Sequence, residues 1–122
     1  MAASYLQSSL DKIPEARDPK LIELCINPDG TLWAEFQGDH FMRPVSSRLS
    51  QDEIKDLGNQ IASSANTTLS RTKPIVSVSI IYRDRPIRAQ VIQPPAVDGG
   101  YAISLRFFAD LPLEQIKLSY LF

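Results

Sequence analysis

The arginines in the last third of the sequence are the residues best suited to chemistry, because each guanidinium offers a planar fork of donors to a phosphate or carboxylate. Residues 69–108 hold six basic and two acidic residues, a net charge of +4, whereas residues 1–68 hold six basic and ten acidic residues, a net charge of −4. Five of the six bases in the positive segment are arginines: Arg71, Arg83, Arg85, Arg88 and Arg106. This asymmetry indicates either a surface that meets an anion or a solvated face with local ion pairs. Aromatic residues are not interleaved with these arginines, so the pattern does not favour single-stranded nucleic acid as the anion.

The common catalytic motifs are absent from the sequence. It contains no phosphate-binding G-x-x-x-x-G-K-[ST] loop, no G-x-G-x-x-G, no G-x-S-x-G and no H-E-x-x-H. The one histidine, His40, lies in a short apolar strand candidate, where a structural role is commoner than a catalytic one. The one cysteine, Cys25, excludes a disulfide framework and a cysteine-based zinc site. We therefore expect neither a catalytic residue nor a metal site.

Length and composition indicate one folded domain. The chain has 122 residues, a net charge of −1 and 43% hydrophobic residues, which excludes a disordered tail and a globally basic nucleic-acid binder. No apolar stretch approaches the roughly 20 residues that cross a bilayer, and the first ten residues lack the pattern of a signal peptide. We expect a soluble, cytoplasmic domain.

The first half of the sequence predicts a helix followed by three strands. Apolar residues at helical spacing predict a helix over Ser4–Ile13. Alternating segments bounded by turn residues predict strands over Leu21–Asn27, Thr31–Phe36 and His40–Val45. Pro44 indicates that the third strand lies at a sheet edge, because proline cannot donate to the ladder.

The strongest local pattern predicts a second helix over Gln51–Ala65. Ser50 and Glu53 form a capping box, and the apolar residues that follow share one face. Three further alternating segments predict strands over Ile75–Tyr82, Ile87–Gln93 and Tyr101–Phe108.

The order of these elements predicts an α+β fold, an antiparallel sheet of about six strands with helices packed on it. Strand periodicity places Arg88 and Arg106 on the face opposite the apolar residues of their strands. A last helix is expected to begin within Leu113–Tyr120.

Six segments in order resemble a known family. They are LIELCINPDGTLWAE over Leu21–Glu35, Leu49–Ser50, the helix end Ile61–Ala62, Pro74, RAQVIQPPAV over Arg88–Val97, and ISLR over Ile103–Arg106. The set is similar to the N-terminal domain of the traffic ATPases of bacterial type IV secretion and conjugal-transfer systems, the VirB/TrbB-like secretion ATPases. The segment R-x-Q followed by P-P-A favours this conjugation type over its relatives.

The resemblance implies a mechanism in which N-terminal domains form a ring stacked on a ring of RecA-like ATPase domains. Nucleotide lies between the two domains of each subunit, and the absent C-terminal domain supplies most contacts to ATP and Mg²⁺. Arginines of the N-terminal domain reach the phosphate end, and the matching positions here are Arg88 and Arg106. Arg83 and Arg85 match no motif of the family and are assigned no role.

The resemblance also divides the chain. Residues 1–20 form an N-terminal helix and connector, 21–112 the secretion-ATPase N-terminal domain, and 113–122 the start of an interdomain linker. We expect the full-length parent to be an ATPase, whereas this chain alone should bind nucleotide weakly and hydrolyse nothing. The expected partners are a homo-hexamer, other inner-membrane components of type IV secretion and the cytoplasmic face of the bacterial inner membrane. Direct sequence-specific binding of nucleic acid is not expected.

Three alternatives remain open. The first is the related N-terminal domain of a type II secretion or pilus-retraction ATPase. The second is a stand-alone α+β sensor that holds a small ligand in a pocket. The third is an interaction module that uses the strand Ile75–Tyr82 as an exposed edge.

Overall fold

The computed structural model of the chain describes residues 2–64, 74–93 and 99–108. A short 3₁₀ turn spans Pro14–Arg17. The helices and strands are α1 Ala2–Asp11, β1 Leu21–Ile26, β2 Thr31–Phe36, β3 Arg43–Arg48, α2 Gln51–Ser64, β4 Ile75–Tyr82, β5 Arg85–Ile92 and β6 Ala102–Phe107. The predicted helix within Leu113–Tyr120 and the predicted linker over 113–122 lie outside the described residues.

The six strands form one antiparallel sheet in the order β3-β2-β1-β6-β5-β4. The meander β1–β3 and the group β4–β6 meet where β1 pairs with β6. This arrangement confirms the predicted α+β class and the single sheet. It also places β3, with Pro44, at one edge and β4 at the other.

One face of the sheet is covered by the helices, and it carries the core. α2 buries Ile54, Leu57, Ile61 and Ala62 and contacts β4, β5 and β6. α1 packs against α2, and Ser9 Oγ donates to Gln60 Oε1 at 2.9 Å. Alternate strand residues fill the space below: Leu24, Ile26, Leu32, Ala34, Val76, Val78, Ile80, Tyr82, Ile87, Ala89, Val91, Ile103, Leu105 and Phe107. No helix within the described ranges is long and apolar enough to cross a membrane.

A capping box fixes the start of α2, and a glycine within the helix lets it pack closely on the sheet. The capping box is confirmed, since Glu53 N donates to Ser50 Oγ and Ser50 N donates to Glu53 Oε1. Within α2, a Cβ at Gly58 would lie 3.0 Å from Val91 and 3.2 Å from Tyr101. Glycine therefore lets the helix approach the sheet closely.

The predicted bounds of the third strand are wrong by about three residues. The prediction was His40–Val45, whereas the strand spans Arg43–Arg48. Asp39 explains the shift, because its Oδ2 accepts a hydrogen bond from Phe36 N and pairs with Arg43 Nε at 3.6 Å. These contacts lengthen the turn and leave His40 before the strand.

The turn between β4 and β5 contains only Arg83 and Asp84. Their φ angles are +49° and +65°, and two positive φ values in a two-residue hairpin loop are the mark of a type I′ turn. α1 ties down this turn from its C-terminal end. Tyr82 OH donates to Asp11 Oδ1, and Arg83 donates to the same oxygen from Nε at 3.1 Å and Nη2 at 3.0 Å. The Tyr82 hydrogen bond, followed by the Arg83 contacts, lowers the pKa of Asp11 below its ordinary value of 3.8.

We predict that Asp11→Asn lowers the free energy of unfolding at pH 7 but matches the wild type in strong acid. A carboxyl whose pKa is lowered by folding stabilises the fold above pH 3.8, and that contribution is lost as the pH falls through the folded-state pKa. Denaturant unfolding between pH 7 and pH 2 measures the difference. Asp56→Asn, on the exposed face of α2, is the control, and an equal loss in both variants at pH 7 would show that the Asp11 contacts contribute nothing.

Candidate anion-binding site

Arg88 and Arg106 lie directly opposite each other on the face of the sheet that the helices leave uncovered. Arg88 is on β5 and Arg106 on β6, and the two residues are Cα partners in the antiparallel register. Both are exposed, and the neighbours of each along its strand are buried beneath the helices. The predicted placement opposite the apolar residues is confirmed, and the strand pairing brings the two side chains together.

Neither Arg88 nor Arg106 has an ion pair or hydrogen bond within the described ranges. The two ion pairs found there join Arg83 to Asp11 and Arg43 to Asp39. Like charges opposite one another across a ladder are destabilising, so the pair is retained at a cost in stability. Two adjacent guanidinium groups with free donors are suited to an oxyanion that can accept from both.

The row that contains the arginines continues across the sheet as a run of polar residues. Ser79 on β4 is the partner of Arg88, and Glu23 on β1 is the partner of Arg106. Glu35 on β2 is in turn the partner of Glu23. Two cations are therefore followed by two anions on four consecutive strands. Sequence reasoning missed Glu23 and Glu35, because their place beside the arginines depends on the pairing of β1 with β6.

The neighbouring row contains Ser104, Cys25 and Trp33, which are partners on β6, β1 and β2. Burial raises the pKa of the Cys25 thiol, Glu23 raises it further, and a hydrogen bond with Ser104 partly offsets both. Cys25 is thus a thiol rather than a reactive thiolate, and its Sγ lies 4.0 Å from Met42 Sδ. Trp33 is 39% exposed.

Arg83 and Arg85 both form contacts with other parts of the protein. Arg83 pairs with Asp11, as described above. Arg85 donates from Nη2 to Leu21 O at 2.6 Å and from Nη1 to Asp18 O at 3.0 Å, and its guanidinium lies 5.0 Å from the Phe107 ring centre. Of the two interpretations of the positive segment, local contacts within the protein account for Arg83 and Arg85. A surface that binds an anion fits Arg88 and Arg106.

His40 lies in the turn before β3, where it is exposed and contacts the Phe41 ring edge-to-face. Among the residues that the structure describes, no group of three histidine, cysteine or acidic side chains could hold a metal ion. The uncovered face therefore presents two arginines to an anion. Its described residues form no set of three ligands for a metal ion.

The fold is that of known secretion and pilus motor ATPases. A scan against protein-family models gives no match, and a search of curated proteins finds no relative. Among solved structures, the VirB11 ATPase from the Brucella suis type IV secretion system, in complex with sulphate, is similar over 99% of this chain and 36% of its own length, with a TM-score of 0.75 and 22% identity. The pilus retraction motor PilT with bound ADP is similar over 91% of this chain and 34% of its own length, with a TM-score of 0.58 and 20% identity.

The chain thus spans about a third of the length of these two proteins. At such identities the likeness is one of fold. At that level it confirms the resemblance to secretion ATPases that the sequence motifs indicate.

We predict that Arg88→Gln raises the free energy of unfolding at low ionic strength by about 0.2–1 kcal/mol, because it removes the like charge opposite Arg106. The gain should shrink as salt is added, since exposed charges are screened. Denaturant unfolding with and without salt measures it. Lys55→Gln removes one positive charge from the exposed face of α2 and is the control, and a loss of stability confined to Arg88→Gln would contradict the unpaired state of the arginines.

Proposed function

We propose that this chain is the N-terminal domain of a hexameric traffic ATPase of the type IV secretion, or conjugal-transfer, kind. It would serve ring assembly, docking at the cytoplasmic face of the bacterial inner membrane, and contact with ATP held by a C-terminal RecA-like domain. The observation that carries the proposal is the pairing of Arg88 with Arg106. These residues come from two separate motifs, yet they are cross-strand partners, and among the described residues neither forms an ion pair, although Glu23 lies opposite Arg106 on its other side. The fold shared with the VirB11 ATPase over 99% of the chain supports it.

The arginine pair is suited to binding the terminal phosphate of a nucleoside triphosphate. Charge in phosphoryl transfer is spread over the oxygens of the transferred group, where added cations stabilise it. Two guanidiniums on a rigid sheet would bind a phosphate that the second domain presents to them. They would thereby favour a closed arrangement of the two domains while that phosphate is present. Loss of the phosphate would let the two domains open.

Mg²⁺ is assigned to the C-terminal domain in this proposal. The described residues hold no cluster of three potential metal ligands, and the resemblance gives the phosphate-bound ion to the P-loop domain. When bound with ATP, the ion would neutralise phosphate charge, and Arg88 and Arg106 would add to that neutralisation from the opposite side.

The two unlike edges of the sheet support a ring. The β3 edge carries Pro44 together with the exposed polar residues Arg43, Ser46 and Arg48, whereas the β4 edge exposes Ile75 and Ile81, the latter 74% exposed. An apolar edge strand is a surface that another chain can cover. Unlike surfaces at two sides of a protomer give head-to-tail contacts between copies. Such contacts form a ring when the rotation from one copy to the next closes.

The same β4 edge favours one alternative, an interaction module that pairs with a partner strand. A pilus-type ATPase domain is supported less, because the TM-score to PilT is 0.58 against 0.75 to the VirB11 ATPase. A ligand sensor would use a pocket, and the cleft that the described residues form between α2 and Tyr101 measures about 180 Å³, below the ordinary range for small-molecule sites.

We predict that Arg88→Ala and Arg106→Ala, made in the full-length protein, each lower ATP hydrolysis at least about tenfold and leave the hexamer intact. The reason is the loss of one charge-assisted contact to phosphate. Steady-state ATPase assays and size-exclusion chromatography measure the two effects. Arg48→Ala, on the edge strand β3, is the control.

The source gene provides an independent check. We expect a G-x-x-x-x-G-K-[ST] motif within roughly a hundred codons downstream of the Phe122 codon, as a P-loop ATPase domain requires. Full hydrolysis in both arginine variants would contradict the phosphate role. A full-length protein that stays monomeric with ATP present would contradict the ring.

A further inference from the structure

We propose that the indole of Trp33 is the platform on which the base of the bound nucleotide stacks. This inference deepens the proposed function, since it takes the Arg88–Arg106 pair as the phosphate site. Nothing in the sequence motifs links Trp33 to the arginines. The link comes from the strand order, which brings β2 to the same uncovered face as β5 and β6.

Trp33 is a partly exposed aromatic residue on the second strand of the sheet, where its cross-strand partners are Cys25 and Pro44. It is 39% exposed, and the residues on either side of it, Leu32 and Ala34, are fully buried beneath the helices. Its indole makes no hydrogen bond or ring contact within the described part of the chain. One broad aromatic surface is thus available on the face that carries the arginine pair.

The spacing between Trp33 and the arginines suits an extended mononucleotide. From Arg106, the face runs across Glu23 to Glu35 and then two residues along β2 to Trp33. Ordinary strand and residue spacings put the Cα atoms of Arg106 and Trp33 about 12 Å apart. Ser104 and Cys25 occupy the row between them, and the thioether of Met42, 4.0 Å from Cys25 Sγ, lies beside this path.

The charges along this path orient the ligand. Glu23 and Glu35 lie on the Trp33 side of the arginines, so they repel a phosphate chain and confine it to the arginine end. The uncharged base is then left at the far end, over the indole. Carboxylate oxygens in between can accept hydrogen bonds from ribose hydroxyls.

A mononucleotide is the occupant because the face pairs one aromatic platform with one pair of cations. Binding along a nucleic-acid strand uses repeated stacking platforms beside a basic groove. Here the row beyond the arginines is acidic, which would repel a second phosphate.

The single tryptophan of the sequence makes the test direct, because all tryptophan fluorescence reports on Trp33. We expect ATP to quench this fluorescence along a saturating curve. Tripolyphosphate, which has no base, should compete with ATP but cause no quenching itself. In Trp33→Leu, the affinity for ATP measured by calorimetry should fall at least about fivefold, with tripolyphosphate affinity unchanged. Trp33→Phe keeps an aromatic face and should lose less.

The outcomes separate this inference from the proposed function. ATP binding that depends on Arg88 but neither quenches Trp33 nor weakens in Trp33→Leu would overturn the base platform and leave the phosphate site standing. Failure of both ATP and tripolyphosphate to bind the full-length protein would overturn both. Quenching by a thymidine decanucleotide at lower concentration than by ATP would contradict the mononucleotide assignment.

Discussion

The register between β5 and β6 is the constraint on which the candidate site depends. Burial of Ala89 and Leu105 under the helices forces the neighbouring Arg88 and Arg106 to the other face, since side chains alternate along a strand. Because Arg88 and Arg106 are Cα partners, the two cations stand side by side. A slip of either strand by one residue would send its arginine toward the core, where an unpaired charge is costly.

Side-chain contacts at the turn end of the β4–β5 hairpin fix the position of β5. Asp11 at the end of α1 accepts hydrogen bonds from Tyr82 and Arg83, which fixes the β4–β5 turn. Arg85 donates to the backbone carbonyl of Leu21, which ties β5 to the start of β1. Of these four arginines, Arg83 and Arg85 have protein partners, whereas Arg88 and Arg106 form no hydrogen bond or ion pair within the described residues. The charge that costs stability is confined to the uncovered face, where solvent screens it.

Most of the architecture could be predicted from the sequence, because strand alternation and the capping box at Ser50 are local patterns. Local patterns also placed Arg88 and Arg106 on the polar face. The sequence could not show that β1 pairs with β6, since that pairing joins segments far apart in the chain, and Glu23 and Glu35 were therefore missed beside the arginines. The bounds of β3 were wrong because the side chain of Asp39 extends a turn that the residue pattern alone does not reveal. The roles in ring assembly and membrane docking stay predictions.

Nuclear magnetic resonance of the isotopically labelled chain, titrated with ATP, tests the central claim most directly. Side-chain Nε–Hε signals distinguish individual arginines, so the experiment asks which guanidiniums meet the phosphates. The account predicts that the signals of Arg88 and Arg106 shift most, together with backbone amides at the centre of β5 and β6. The signals of Arg83 and Arg85, which are engaged by protein groups, should stay in place. Shifts at Arg83 or Arg85 with Arg88 and Arg106 unmoved at saturating ATP would contradict the account.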